Sequence, residues 1–95
     1  TSIPVEIFRS SVAKGITNVN GNGNKCIHHV RKIYELYVKF HPSNINAWLD
    51  YVRFELEFGN VQTVTKINWR AKKALGNSML DLWECEFTKC KLESN

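Results

Sequence analysis

The sequence predicts an all-α fold in which antiparallel helix pairs form a short right-handed α-solenoid of about five helices. Three observations lead there. The chain repeats itself: Trp48 and Trp83 lie 35 positions apart and Ile33 and Ile67 lie 34 apart, close to the ~34 residues of a two-helix repeat. The segment 45–58 is apolar over an arc of roughly 200° at the 3.6-residue period, whereas a helix with one neighbour needs only about 100°. No stretch keeps the two-residue alternation of a half-buried strand.

Each helix is bounded by local signals. The first is expected over roughly 3–14, with Ser2 as cap, Pro4 in the first turn, where a missing N–H costs nothing, and Gly15 as terminator. The Asn- and Gly-rich stretch that follows predicts a flexible loop near 17–24. It has no Gly-Lys-Ser/Thr and no strand before it, so it is not a phosphate-cradling loop. The second helix is expected over 25–40, with Cys26, Val30, Ile33, Tyr37 and Phe40 as its apolar stripe, Ile27 and Tyr34 beside them, and Pro42 as stop. The third runs 45–58 between Ser43 or Asn44 and Gly59. The fourth runs 61–75 between Asn60 and Gly76. The fifth is expected to start after Ser78 and run to about 92, with Asp81 three residues after Ser78 in a near capping box. Residues 1–95 then read as about two and a half repeats. The expected core is Phe8, Val12, Val30, Ile33, Tyr37, Trp48, Tyr51, Val52, Leu56, Ile67, Ala71, Leu75 and Trp83.

Composition narrows the function classes. The chain has 95 residues, a net charge of +4 and a sequence pI of about 9.1, which suits a nucleic-acid-rich setting without a basic tail. Three cysteines make no disulfide framework, so a reducing compartment is expected. No apolar run reaches 18 residues. The start at Thr1, without Met or a signal peptide, reads as a piece of a longer protein.

Trp48, Tyr51, Phe54 and Glu55 follow one for one the first-helix pattern of the HAT (half-a-TPR) repeat family, which this chain resembles. Arg31, Ile33, Tyr34 and Glu35 fit its second-helix pattern. The fourth helix departs from it, with Asn68 at the aromatic position and Trp69 at the Glu position. The run Lys66 to Leu75, following Trp48-Leu49-Asp50-Tyr51, is similar to the C-terminal end of a family of U3 small nucleolar RNA-associated proteins of the small-subunit processome. There too Trp-Arg-Ala replaces Glu-Arg-Ala. The resemblance implies a nuclear, nucleolar scaffold that binds other ribonucleoprotein subunits, WD-repeat proteins among them, in pre-18S rRNA processing. Association with U3 RNA or pre-rRNA would be direct or indirect. Two alternatives stay open: direct RNA binding, and a HAT scaffold of the splicing or mRNA 3′-end machinery.

Individual residues carry competing readings. Glu55 falls inside the apolar arc, where a carboxylate needs a partner; Arg70 and Arg31 are the candidates. A catalytic acid is the weaker reading, because no nucleophile or base accompanies it, and the chain is read as no enzyme, without cofactor or metal. Trp69 points away from the face of Val64, Ile67, Ala71, Ala74 and Leu75, among Lys66, Arg70 and Lys73. It either packs on a neighbouring repeat or, with those three cations, meets a protein partner or RNA. Cys26, His28, His29, Cys85 and Cys90 lack zinc-ligand spacing. Cys26 and His29 are expected on the apolar side and His28 in solvent.

Overall fold

The computed structural model describes the backbone of residues 3–22 and 24–93 and the side chains of 3–14 and 27–93. The order is α1 (Val5–Asn22), α2 (Asn24–Phe40), α3 (Ile45–Phe58), α4 (Val61–Leu75), a 3₁₀ turn (Asn77–Met79) and α5 (Leu80–Glu93). The fold is all-α, and no strand occurs among the described residues. The chain divides into two compact units, Thr1–His41 and Pro42–Asn95.

In the first unit α1 packs on α2. Phe8 stacks on Tyr37, centroids 5.3 Å apart and planes 5° from parallel, and His41 meets both rings edge-on. The His41 ring is also in hydrogen-bond contact through Nε2 with the Ile3 carbonyl, 2.6 Å away, which fixes the chain just before α1. Stacking of this kind adds about 0.5–1.5 kcal/mol per pair to the area buried. The helix continues past Gly15 to Asn22; an interior glycine costs only about 1 kcal/mol and need not end a helix. The loop expected near 17–24 is thereby shortened, and residue 23 lies outside the described residues, as do Ser2 and the side chain of Cys26. The buried stripe of α2 is Val30, Tyr34, Tyr37 and Val38, while Ile33 is half-buried and Phe40 exposed. The stripe is rotated from the expected one because the Phe8–Tyr37 stack sets which ridge faces α1. His29, expected on the apolar side, is exposed like His28.

In the second unit α3 is central and packs on both α4 and α5. Its buried residues are Ala47, Trp48, Leu49, Tyr51, Val52, Phe54 and Glu55, and two helical neighbours account for so wide an arc. Leu56, expected in the core, is half-buried at the edge of that arc. Asn44 caps α3 by accepting the Asn46 N–H at 3.0 Å. The Trp48 indole donates to the Pro42 carbonyl at 2.8 Å, so the stop signal between helices also anchors the ring.

Asn60 caps α4 more completely. Its Oδ1 accepts the Thr63 N–H at 2.8 Å and the Thr63 hydroxyl at 3.0 Å. Gly76 ends the helix at φ 80°, in the left-handed region that favours glycine. The 3₁₀ turn then takes the place of the expected capping box: Ser78 lies inside it, and the Met79 N–H donates to the Gly76 carbonyl at 3.2 Å. Asn60→Ala is expected to lower the stability of the chain by about 1 kcal/mol. A urea denaturation curve with shifted midpoint and unchanged slope checks this.

Candidate partner-binding face

The inner face of α4 is a narrow stripe of Val64, Ile67, Ala71 and Leu75, all buried. Small and branched side chains at this spacing let α4 lie close on α3. The stripe fixes what points outward: Gln62, Thr65, Lys66, Trp69, Arg70 and Lys73, all exposed. Trp69 is 64% exposed, although an aromatic ring of this size is normally largely buried. Of the four residues expected to make a contact face, Lys66, Trp69 and Lys73 share one sector of the helix. Arg70 sits at its edge and leans toward α3, its guanidinium 5.4 Å from the centroid of the Trp48 ring. It therefore supports Trp48 by a cation–π contact as well as adding charge beside Trp69.

The departure of α4 from the usual repeat pattern has a structural use. Asn68, where an aromatic is usual, accepts the indole N–H of Trp83 at 2.8 Å. Trp83 is fully buried and its ring stacks on Phe87 at 5.6 Å. Lys72 reaches Glu84 of α5 at 3.4 Å, a partly exposed pair worth little by itself. Asn68 and Lys72 thus face α5, and Trp69, between them in sequence, turns outward. Nothing in the sequence alone joins Asn68 to Trp83. The loss of the aromatic at 68 was the available signal.

Glu55 is fully buried, and Gly59, one turn later, closes over it. A Cβ built at Gly59 would lie 1.7 Å from the carboxylate oxygen Oε1. The Gly59 N–H also donates to the Glu55 carbonyl at 3.0 Å. This glycine has φ −110°, outside the left-handed region, and the buried carboxylate is what an added side chain would meet first.

On the other side of α3, a cavity of about 390 Å³ is lined by Arg53, Leu56, Glu57, Cys90 and Glu93. Cys90 is buried and Cys85 exposed. Burial pushes the Cys90 thiol above its ordinary 9.0; the Arg53 charge and hydrogen bond pull it down, and Glu93 and Glu86 push it up. Because the folded pKa is raised, the stability this neutral thiol contributes is complete below about pH 9 and is lost as pH climbs through the folded value. Wild type is expected to lose stability above about pH 9 faster than Cys90→Ala, as denaturation curves across that range will record.

No helix among the described residues is long and apolar enough to cross a membrane. The family model described as U3 small nucleolar RNA-associated protein 6 C-terminal matches residues 6–75, from the first turn of α1 to the end of α4. Pre-mRNA-splicing factor CLF1 of Kluyveromyces lactis is 48% identical over 31 residues, a stretch that is 33% of this chain and 4% of that protein. No solved structure matches the chain. With the family model spanning most of its length, the chain belongs to the family of U3 small nucleolar RNA-associated protein 6 C-terminal domains.

Proposed function

We propose that the chain is a protein-binding scaffold module of the U3-containing small-subunit processome, acting in pre-18S rRNA processing in the nucleolus. The observation that carries the reading is the family match over residues 6–75. The architecture supports it: Trp48, Tyr51 and Phe54 are buried within the second unit, which leaves Lys66, Trp69, Arg70 and Lys73 exposed on α4 and available to a partner. Such a module works by holding other subunits, WD-repeat proteins among them, and it needs neither cofactor nor catalytic group.

The sequence pI of about 9.1 and the cations around Trp69 favour a second reading, direct RNA binding. The similarity to the splicing factor favours a third, a HAT scaffold of the splicing machinery, over 31 residues only.

Two measurements on the complete protein decide among them. Precipitation of the tagged protein is expected to enrich U3 RNA over other small RNAs; enrichment of spliceosomal RNAs instead would move the chain to the third reading. Titration of the purified protein with a U3 RNA fragment is expected to show weak, sequence-blind binding that disappears as salt approaches the physiological range. Sequence-selective binding that survives physiological salt would establish the second reading in place of the first.

A further inference from the structure

The outer face of α4 has more order than a patch of charge around one ring. Val61, Thr65 and Trp69 follow one another at i, i+4 and i+8 and so form a single ridge. Val61 is 67% and Trp69 64% exposed. The Thr65 hydroxyl donates to the Val61 carbonyl at 3.2 Å, so it is turned onto its own helix and asks nothing of a partner. The ridge is therefore apolar in effect along about 12 Å, eight residues at 1.5 Å each. Lys66 and Lys73 border it on one side. No Asp or Glu occurs anywhere in α4.

We propose that this ridge docks an amphipathic, acidic helix of a partner protein. The inference rests on the scaffold reading and names the partner's chemistry. A ridge at i, i+4 and i+8 fits the groove between side-chain rows of a facing helix. Val61 and the Thr65 methyl gain nothing from stacked bases, which need a series of aromatic platforms, whereas α4 carries Trp69 alone. Trp is also the residue type most enriched among energetic anchors of protein interfaces.

Charge chooses the occupant. Helices of the second position in each pair are cationic here: α2 carries Lys25, Arg31, Lys32 and Lys39 against Glu35, and α4 carries Lys66, Arg70, Lys72 and Lys73 against nothing. A further helix of that kind from the same array would meet Lys66 and Lys73 with like charge. An acidic helix meets them with opposite charge, which guides its approach and its register.

The test uses the complete protein in its native particle, with a photo-crosslinking phenylalanine in place of Gln62, which is exposed on the same face. The expected crosslink joins position 62 to another polypeptide, at a segment that is acidic and amphipathic at helical period. A synthetic peptide of that segment is then expected to bind the purified protein, with Trp69→Ala weakening binding roughly tenfold or more. The double charge reversal Lys66→Glu/Lys73→Glu should abolish its salt dependence or the binding itself. Unfolding curves of the variants should match wild type, since these side chains are exposed. A crosslink within the chain, to a second copy, to RNA or to a segment that is not acidic and amphipathic overturns the inference. So does a particle in which position 62 crosslinks to nothing, or a peptide that binds Trp69→Ala as tightly as wild type. Enrichment of U3 RNA together with any of those results sinks the docking proposal alone. Loss of U3 enrichment from wild type sinks the scaffold reading as well.

Discussion

Trp83→Ala is expected to destabilise the second unit by about 3–5 kcal/mol, the range for removing a large buried aromatic. Trp83 is fully buried. Its ring lies 5.6 Å from Phe87 and its indole N–H is held by Asn68. Beyond Trp83 the only other buried side chain of α5 is Cys90, seven residues on, so this indole is the largest buried group that seats the helix. Truncation leaves a cavity where α5 meets α3 and α4, and the surrounding helices can refill it only in part. Trp83→Phe keeps much of the volume and loses the hydrogen bond to half-buried Asn68, so a smaller loss of about 1–2 kcal/mol is expected. Urea denaturation of the three proteins gives the order wild type, Trp83→Phe, Trp83→Ala. Equal midpoints for wild type and Trp83→Ala would show that α5 is not held by this ring.

Gly59→Ala is the second large effect, about 2–3 kcal/mol, at the upper end of the range for overpacking a tight site. The φ of Gly59 is −110°, outside the left-handed region, and the close contact to be relieved is with Glu55. The new methyl would stand 1.7 Å from Oε1 and 2.8 Å from Cδ of Glu55, with the Glu55 Cα at 3.2 Å. A carboxylate end would swing aside at small cost on a surface. Glu55 is fully buried, and moving its charge disturbs the interactions that hold it. The cost should therefore depend on the carboxylate. In a Glu55→Ala background, which is itself destabilised, the further change Gly59→Ala should be close to neutral. A double-mutant cycle reads the difference as coupling energy. Additive effects would mean that something other than the carboxylate rejects the methyl.

Local signals made the second unit the more legible. α3 and α4 begin and end where Asn44, Gly59, Asn60 and Gly76 place them, because capping is decided within a turn of the cap. The wide apolar arc of 45–58 foretold two neighbours, and α3 has them. Features set by contacts distant in sequence were not readable. The stripe of α2 turned to Tyr34 and Val38 because Phe8 stacks on Tyr37, and a helix apolar on several sides does not declare its ridge. Gly15 looked like a terminator and is passed over; Ser78 looked like a cap and sits in a 3₁₀ turn. Gly59 was placed correctly as a helix end, but its dependence on Glu55 needed coordinates.

The candidate face divides the same way. The outward direction of Lys66, Trp69 and Lys73 followed from the helical wheel once the buried stripe was known. The ridge from Val61 to Trp69 needed the structure, because it depends on the Thr65 hydroxyl being bonded to the Val61 carbonyl. The lean of Arg70 toward Trp48 also needed the structure. The two buried tryptophans, Trp48 and Trp83, hold the unit together through their indole N–H groups, and Trp69 has no such task within it.

That division of labour is measured most directly by iodide quenching of tryptophan fluorescence in the folded chain, wild type against Trp69→Phe. Nearby Lys66 and Lys73 should draw the anion to an exposed ring. A quenchable fraction in wild type that vanishes in Trp69→Phe is the expected result. Quenching that persists undiminished without Trp69 would mean that Trp48 or Trp83 faces water, and both the helix packing and the binding face described above would have to be abandoned.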